Sequence, residues 1–150
     1  MILQERAYYE EIMKRCIELA HIAKECGDVA AGAVIMHDGN IISEGIEGGK
    51  THHDITYHAE IEAVRNAVKI LKKNDLSDCV LVTTHEPCIM CSYAIRHYGI
   101  SLIVIGATVG EIGGYSSKLP VLLDRTVTRW SDPPTIVTGI LEQECRAINN

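Results

Sequence analysis

The chain reads as an α/β protein, and three features of its 150 residues point that way. Two apolar-rich runs, Cys79-Val80-Leu81-Val82-Thr83-Thr84 and Ser101-Leu102-Ile103-Val104-Ile105-Gly106, have the composition of strands covered on both faces. About His58 to Lys73 is helical in spacing, with Ile61, Val64, Val68 and Leu71 on one face, and Cys88 to Tyr98 forms a second helix between the strands. Strands alternating with helices imply a layered domain with parallel pairing in its sheet.

The remaining elements follow in order. Tyr9, Ile12, Met13, Cys16, Leu19, Ala20 and Ala23 recur at helical spacing, and Gly27 can cap the C-terminus of that helix. Ala33 to Met36, the turn Asp38-Gly39-Asn40, and Ile41-Ile42 predict a β-hairpin. Glu44 to Tyr57, rich in Gly, His and Thr, reads as a loop. Pro87 ends the first apolar strand and Gly99 ends the helix that follows it. Beyond Gly106 the pattern weakens. Gly110, Gly113 and Gly114 mark a flexible loop and Pro133-Pro134 another, with Ile136 to Thr138 a last strand and Ile140 to Ile148 a last helix. There is no repeat, low-complexity tract or linker, so residues 1–150 are expected to form one domain.

Bulk properties narrow the address and the partners. Gln4, Glu5 and Arg6 interrupt the opening run, and no apolar stretch approaches the length of a membrane span, so a cytoplasmic location is expected. With a formal charge of −6 the surface as a whole does not attract a polyanion, so nucleic acid is not the expected partner. Six cysteines in a chain of this size suggest metal or redox chemistry before a disulfide framework.

Two segments combine residues that perform chemistry: His58-Ala59-Glu60 and Pro87-Cys88-Ile89-Met90-Cys91. Each falls where a strand or loop turns into a helix. Cys88 and Cys91, three apart, share a helix face and can grip one ion. A helix N-terminus stabilises thiolate, and Pro87 suits a first turn because its missing N–H would be unpaired there anyway. His58 and Glu60 would diverge in mid-helix, but at the first turn both can reach past the helix end. His58, Cys88 and Cys91 then supply three ligands to Zn2+ and leave a fourth position for water. Two thiolates cancel the formal charge of the ion, so a base must help to activate that water. Glu60 is the expected catalytic base and is not counted as a ligand.

Blander readings exist for each feature. A redox Cys pair would need no His58-Ala59-Glu60 partner, and a structural zinc would need a fourth ligand from His52, His53, His85 or Cys79. Cys16, Cys26, Cys79 and Cys145 read as core residues or spare thiols, and His21, His37 and His97 as surface residues without a role.

The two segments together match the signature of zinc deaminases, a match and not a deduction. The chain resembles the cytidine deaminase-like superfamily, in the branch of cytosine, guanine and tRNA-adenosine deaminases. Asp54, Thr56 and His58-Ala59-Glu60 follow that family's D-P-T-x-H-A-E segment, with Ile55 where proline is usual. Glu86-Pro87-Cys88-Ile89-Met90-Cys91 follows E-P-C-x-M-C in full. Gly32 to Ile35 is similar to its first core strand, Tyr98-Gly99-Ile100 to fungal cytosine deaminases, and Gly139-Ile140-Leu141 with Glu144-Cys145 to tRNA deaminases. The resemblance implies a three-layer α/β/α sandwich around a five-stranded mixed sheet, usually a homodimer.

Its implied activity is hydrolytic deamination. The expected substrate is a small heterocycle, a free nucleobase such as cytosine or guanine or a related triazine, whose exocyclic amino group becomes a carbonyl as ammonia leaves. A tRNA-adenosine or nucleoside deaminase is the alternative, for which Lys118, Arg125, Arg129 and Arg146 offer only scattered positive charge. A catalytically inactive zinc-binding module is disfavoured by the presence of Glu60. The expected substrate-binding set is Glu47, Ala59, His85, Glu86 and Pro87. Glu47 stands where relatives carry Asn. As an acceptor-only group it would either select a donor-rich ring edge or simply point to solvent. Ala30-Ala31 replaces larger residues and the chain has no Phe, so His85, Tyr57, Tyr115 or Trp130 would have to flank the ring, unless they are local packing anchors.

Overall fold

The computed structural model describes residues 1–149, and Asn150, the last residue of the expected domain, lies outside the described residues. In chain order the elements are α1 (Leu3–Glu25), β1 (Gly32–His37), β2 (Asn40–Ile46), α2 (Ala59–Leu71), β3 (Cys79–His85), α3 (Ile89–Tyr98), β4 (Leu102–Ala107), β5 (Thr135–Val137) and α4 (Glu142–Ala147), with a short 3-10 turn at Val121–Leu123. The strands form one mixed sheet in the order β2-β1-β3-β4-β5. β1 runs antiparallel to β2 and β3, whereas β3, β4 and β5 are mutually parallel.

Alternation along the central strands builds the three layers. Ala33, Ile35, Leu81, Ile103 and Ile105 meet Ala59, Ala63, Val64 and Ala67 of α2 and Ile95 of α3. Val34, Met36, Val82 and Val104 point the other way, onto Ile12, Met13, Cys16 and Leu19 of α1 and Cys145 of α4. Both faces of the sheet are therefore dry, as the unbroken apolar composition of the inner strands requires. The α/β/α sandwich and its five-stranded mixed sheet are as the resemblance implied. Among the described residues no helix is long and apolar enough to cross a membrane.

One boundary differs in a way that matters for the site. The loop expected from Glu44 begins only after Ile46, because β2 keeps pairing with β1 through Gly45↔Ala33 and Ile46↔Gly32. Gly45 sits against the carbonyl of Ala59 and the amide of Ala63, so any Cβ there would collide with the α2 backbone. This close approach brings the N-terminus of α2 down onto the sheet, where the functional residues are.

Candidate active site

Two helix N-termini converge on one point. His58 is the N-cap of α2, at φ −95° and ψ 152°, and its side chain caps nothing in its own helix. Cys88 holds the same position in α3, at φ −70° and ψ 176°, and its sulfur accepts from Cys91 N at 3.5 Å. His58 Nδ1 lies 3.5 Å from Cys88 Sγ and 3.4 Å from Cys91 Sγ, and the two sulfurs are 3.6 Å apart. Zinc bound tetrahedrally at its usual bond lengths separates neighbouring N and S ligands by roughly 3.5–3.8 Å, so this triangle has the dimensions of one tetrahedral face. One imidazole and two thiols also suit zinc better than a hard cation. Among the described residues no other trio of His, Cys, Asp or Glu is grouped in this way.

The electrostatics agree. The side-chain contact with Cys91 and that with the His58 imidazole outweigh burial and lower the Cys88 pKa to about 4. The hydrogen bond to Cys88 in turn raises His58 to about 9, while that to Cys88 and burial push Cys91 upward. A cation seated on the triangle would hold both sulfurs as thiolates.

Glu60, in the first turn of α2, is only 6% exposed. Burial raises its pKa to about 7, near the value at which a general base serves best at neutral pH. Beneath it lies Thr83 of β3, whose Oγ1 is 3.0 Å from Glu60 Oε1 and 2.8 Å from the His85 carbonyl oxygen. Sequence spacing does not single out Thr83. Thr83 and its neighbour Thr84 are both wholly buried hydroxyls at the end of an apolar run, and only the fold distinguishes the one that meets Glu60.

The other expected site residues are placed as follows. Glu47 is the first residue beyond β2 and is half-buried; its charge reaches His58, while its Oε2 accepts from Gly49 N at 3.0 Å. Ala59 is buried at the first position of α2, so its N–H is a helix-end donor with no partner within the helix. His85 ends β3, held by Thr84 Oγ1 at 2.8 Å and approached by Asn149 Nδ2 at 3.5 Å, and burial lowers its pKa. Pro87 is buried, and its carbonyl accepts from Gly114 N at 2.8 Å. The Glu86 carboxylate is engaged by the 109–116 loop. Burial pushes its pKa up, but the bonds from Ser116, Val109 and Tyr115 outweigh this and the net shift is downward.

The aromatic side chains do not gather around one ring site. Tyr57 stacks on His52 at 4.0 Å, and Tyr115 packs on the core beneath α2 and α3. Trp130 lies 5.7 Å from Tyr93 with the Arg96 guanidinium 4.7 Å above it, a packing anchor on the outer face of α3. A surface hollow of about 710 Å³, lined by Arg15, Ile41, Glu44, Asn66, Lys69 and Ile70 among others, contains none of the three donors, so chemistry and not size marks the site.

The fold and the donor set together define a class: a zinc-dependent hydrolase acting on C–N bonds of cyclic amidines, a deaminase. Residues 6–107 match the model of the cytidine and deoxycytidylate deaminase zinc-binding region, and the chain belongs to that family. It is 39% identical over 134 residues to the tRNA-specific adenosine deaminase of Buchnera aphidicola subsp. Baizongia pistaciae, a match covering 89% of this chain and 80% of that one. The guanine deaminase of Bacillus subtilis is 44% identical over a shorter stretch of 93 residues, 58% of this chain and 56% of that one. Among solved structures, one from work on A-to-I editing by tRNA:A34 deaminases at the wobble position of transfer RNA has a TM-score of 0.83 at 30% identity, covering 91% of this chain and 96% of its own.

These likenesses overturn two expectations drawn from the sequence: a free nucleobase or other small heterocycle as the substrate, and the absence of a nucleic-acid partner. The curated relatives matched at 35–39% identity over most of both chains are tRNA-specific adenosine deaminases, whereas the match to the Bacillus subtilis guanine deaminase covers little more than half of either chain. Net charge misled because −6 sums the whole surface, whereas binding depends on the field at one rim.

Proposed function

We propose that this protein deaminates an adenosine in tRNA, replacing the exocyclic amino group at C6 by a carbonyl and releasing ammonia. The observation that carries this reading is the likeness to tRNA-specific adenosine deaminases along nearly the full chain, joined to a His/Cys/Cys triangle beside a buried carboxylate. His58 Nδ1, Cys88 Sγ and Cys91 Sγ would hold the zinc. When bound, the ion supplies a Lewis acid that makes water acidic enough to attack at neutral pH.

Every proton passes through Glu60. Its carboxylate takes one from the attacking water as the O–C6 bond forms, and delivers it to N1 of the ring. It then carries the second proton of that oxygen to the amino group, and the C6–N bond breaks with its electron pair leaving on ammonia. Thr83 can donate to the Glu60 carboxylate while it is charged and accept from it while it is protonated. Ala59 N–H offers a donor to the substrate, and Glu47, His85 and Pro87 border the ring. Lys50, exposed on the loop that leads into His58, supplies local positive charge against the net negative surface.

Two further expectations belong to the same reading. All six cysteines are free, as suits a cytoplasmic protein. Tyr93, Leu119, Leu123 and Val127 leave an apolar patch outside α3 on which the second copy of a homodimer would sit. Incubating zinc-loaded protein with total tRNA and reading inosine as A-to-G changes in cDNA tests the activity, with Glu60→Ala as control. Inosine that depends on Glu60 supports it; fully zinc-loaded protein that yields none in any tRNA overturns it.

A further inference from the structure

We propose that Glu86 is a positioning residue whose carboxylate locks the 109–116 loop onto the metal-binding turn, making that loop a fixed wall beside the site. Glu86 is 3% exposed and accepts four hydrogen bonds, all from the loop. Oε1 takes Val109 N at 2.9 Å and Ser116 Oγ at 2.5 Å, and Oε2 takes Tyr115 N at 2.8 Å and Ser116 N at 2.7 Å. A carboxylate has about four lone-pair sites, so none remains for a substrate. The residue that sequence reasoning assigned to substrate binding acts instead through the loop.

The turn and the loop are joined along their length. Ile89 N donates to the Ile112 carbonyl at 2.9 Å, Gly114 N donates to that of Pro87 at 2.8 Å, and Cys88 bridges Gly113 in antiparallel fashion. Gly113 and Gly114 are required by this contact. A Cβ at Gly113 would overlap the Glu86 carboxylate, and one at Gly114 would overlap the Ser92 side chain. The glycines that read from sequence as a flexible loop therefore mark close packing. Displacing Glu86 would release the 109–116 segment, Tyr115 included, from the turn that carries Cys88 and Cys91.

The direction of the bonds supplies the test. In Glu86→Gln one oxygen keeps its two donors, but the new NH2 group faces two donors it cannot accept from. Hydrogen exchange on the zinc-loaded full chain should show Val109, Tyr115 and Ser116 amides at least tenfold less protected, with α1 and β1 amides unchanged and zinc content retained. On tRNA, KM should rise at least tenfold with kcat within threefold, a split that a partly unfolded sample would not produce, since fewer active molecules lower kcat and leave KM alone. Ser116→Ala removes one bond without stranding the carboxylate, and should shift exchange and KM the same way but less, even if Glu86→Gln fails to fold. Wild-type exchange rates in the loop of either folded variant, or a loosened loop with kcat and KM unaltered, would overturn the proposal. The kinetic arm rests on the tRNA reading. If the wild-type protein leaves tRNA untouched, that reading fails and the exchange arm alone decides the role of Glu86.

Discussion

Thr83 Oγ1 lies between Glu60 Oε1, at 3.0 Å, and the His85 carbonyl oxygen, at 2.8 Å. The hydroxyl has one proton, so it donates to the carboxylate or to the carbonyl, and it can accept from Glu60 only while donating to His85. A base that is charged and then protonated within one turnover thus finds a partner in each state. Thr83→Val, nearly isosteric, removes that partner. We expect kcat to fall about tenfold, about 1.4 kcal/mol of barrier, with zinc content unchanged by elemental analysis. A kcat equal to wild type would make Thr83 a spectator.

Glu60→Gln keeps the size of the buried group and abolishes its ability to take a proton. The expected loss in kcat is about 10²–10⁴-fold, with zinc retained because Glu60 is not a ligand. Single-turnover assays with zinc quantified in the same sample check both halves. Loss of zinc together with activity would mean that the carboxylate also holds the metal.

Zinc removal should cost stability as well as activity. A ligand at about a thousand times its Kd contributes about 4 kcal/mol, which for a chain of this size corresponds to a Tm shift on the order of 10 °C. Thermal melts before and after chelation measure it. Cys91→Ser should melt at a temperature that added zinc scarcely moves.

Gly45→Ala tests the approach of α2 to the sheet. The added methyl would press on the Ala59 carbonyl, the residue after His58, and overpacking of this kind costs about 1–3 kcal/mol. We expect a lower denaturation midpoint and weaker zinc affinity, because the strain falls on the helix end that carries a ligand. An unchanged zinc affinity in a folded variant would separate helix placement from metal binding.

Arg15 and Glu44 tie α1 to β2 through two hydrogen bonds of 2.6 and 2.9 Å, and the bond from Arg15 lowers the Glu44 pKa below its ordinary 4.5 despite burial. A carboxylate depressed on folding stabilises above its unfolded value, and that contribution fades as pH falls through the lower, folded value. With both side chains about a third exposed, the pair contributes under about 1 kcal/mol. A double-mutant cycle of Arg15→Met and Glu44→Gln should show coupling at pH 7 that disappears in acid. Coupling that persists well below the Glu44 pKa would point to packing of the stems instead of charge.

Much of the molecule was legible before any coordinates. Element order, parallel pairing of the two apolar strands, the hairpin at Asp38-Gly39 and both helix starts follow from periodicity and turn chemistry, which act over a few residues. The hairpin turn has φ of 50° and 77° at these two residues, as a two-residue connection of right-twisted strands demands. Less was legible where neighbours come from afar. β2 extends to Ile46 because β1 offers it partners, and the glycines at 113 and 114 serve packing, which their composition alone cannot distinguish from flexibility.

The site divides along the same line. The sequence by itself determined the donor types and their places, since a Cys three residues from another at a helix start needs only local geometry to share a face with it. It did not determine that His58, thirty residues before Cys88 in the chain, comes within 3.5 Å of it, that Thr83 stands under Glu60, or that Glu86 is saturated by a loop. Those relations depend on α2 and α3 packing side by side on one face of the sheet, and on the loop after β4 folding back over the turn after β3. Only burial against distant partners selects such contacts, and no short-range pattern records them.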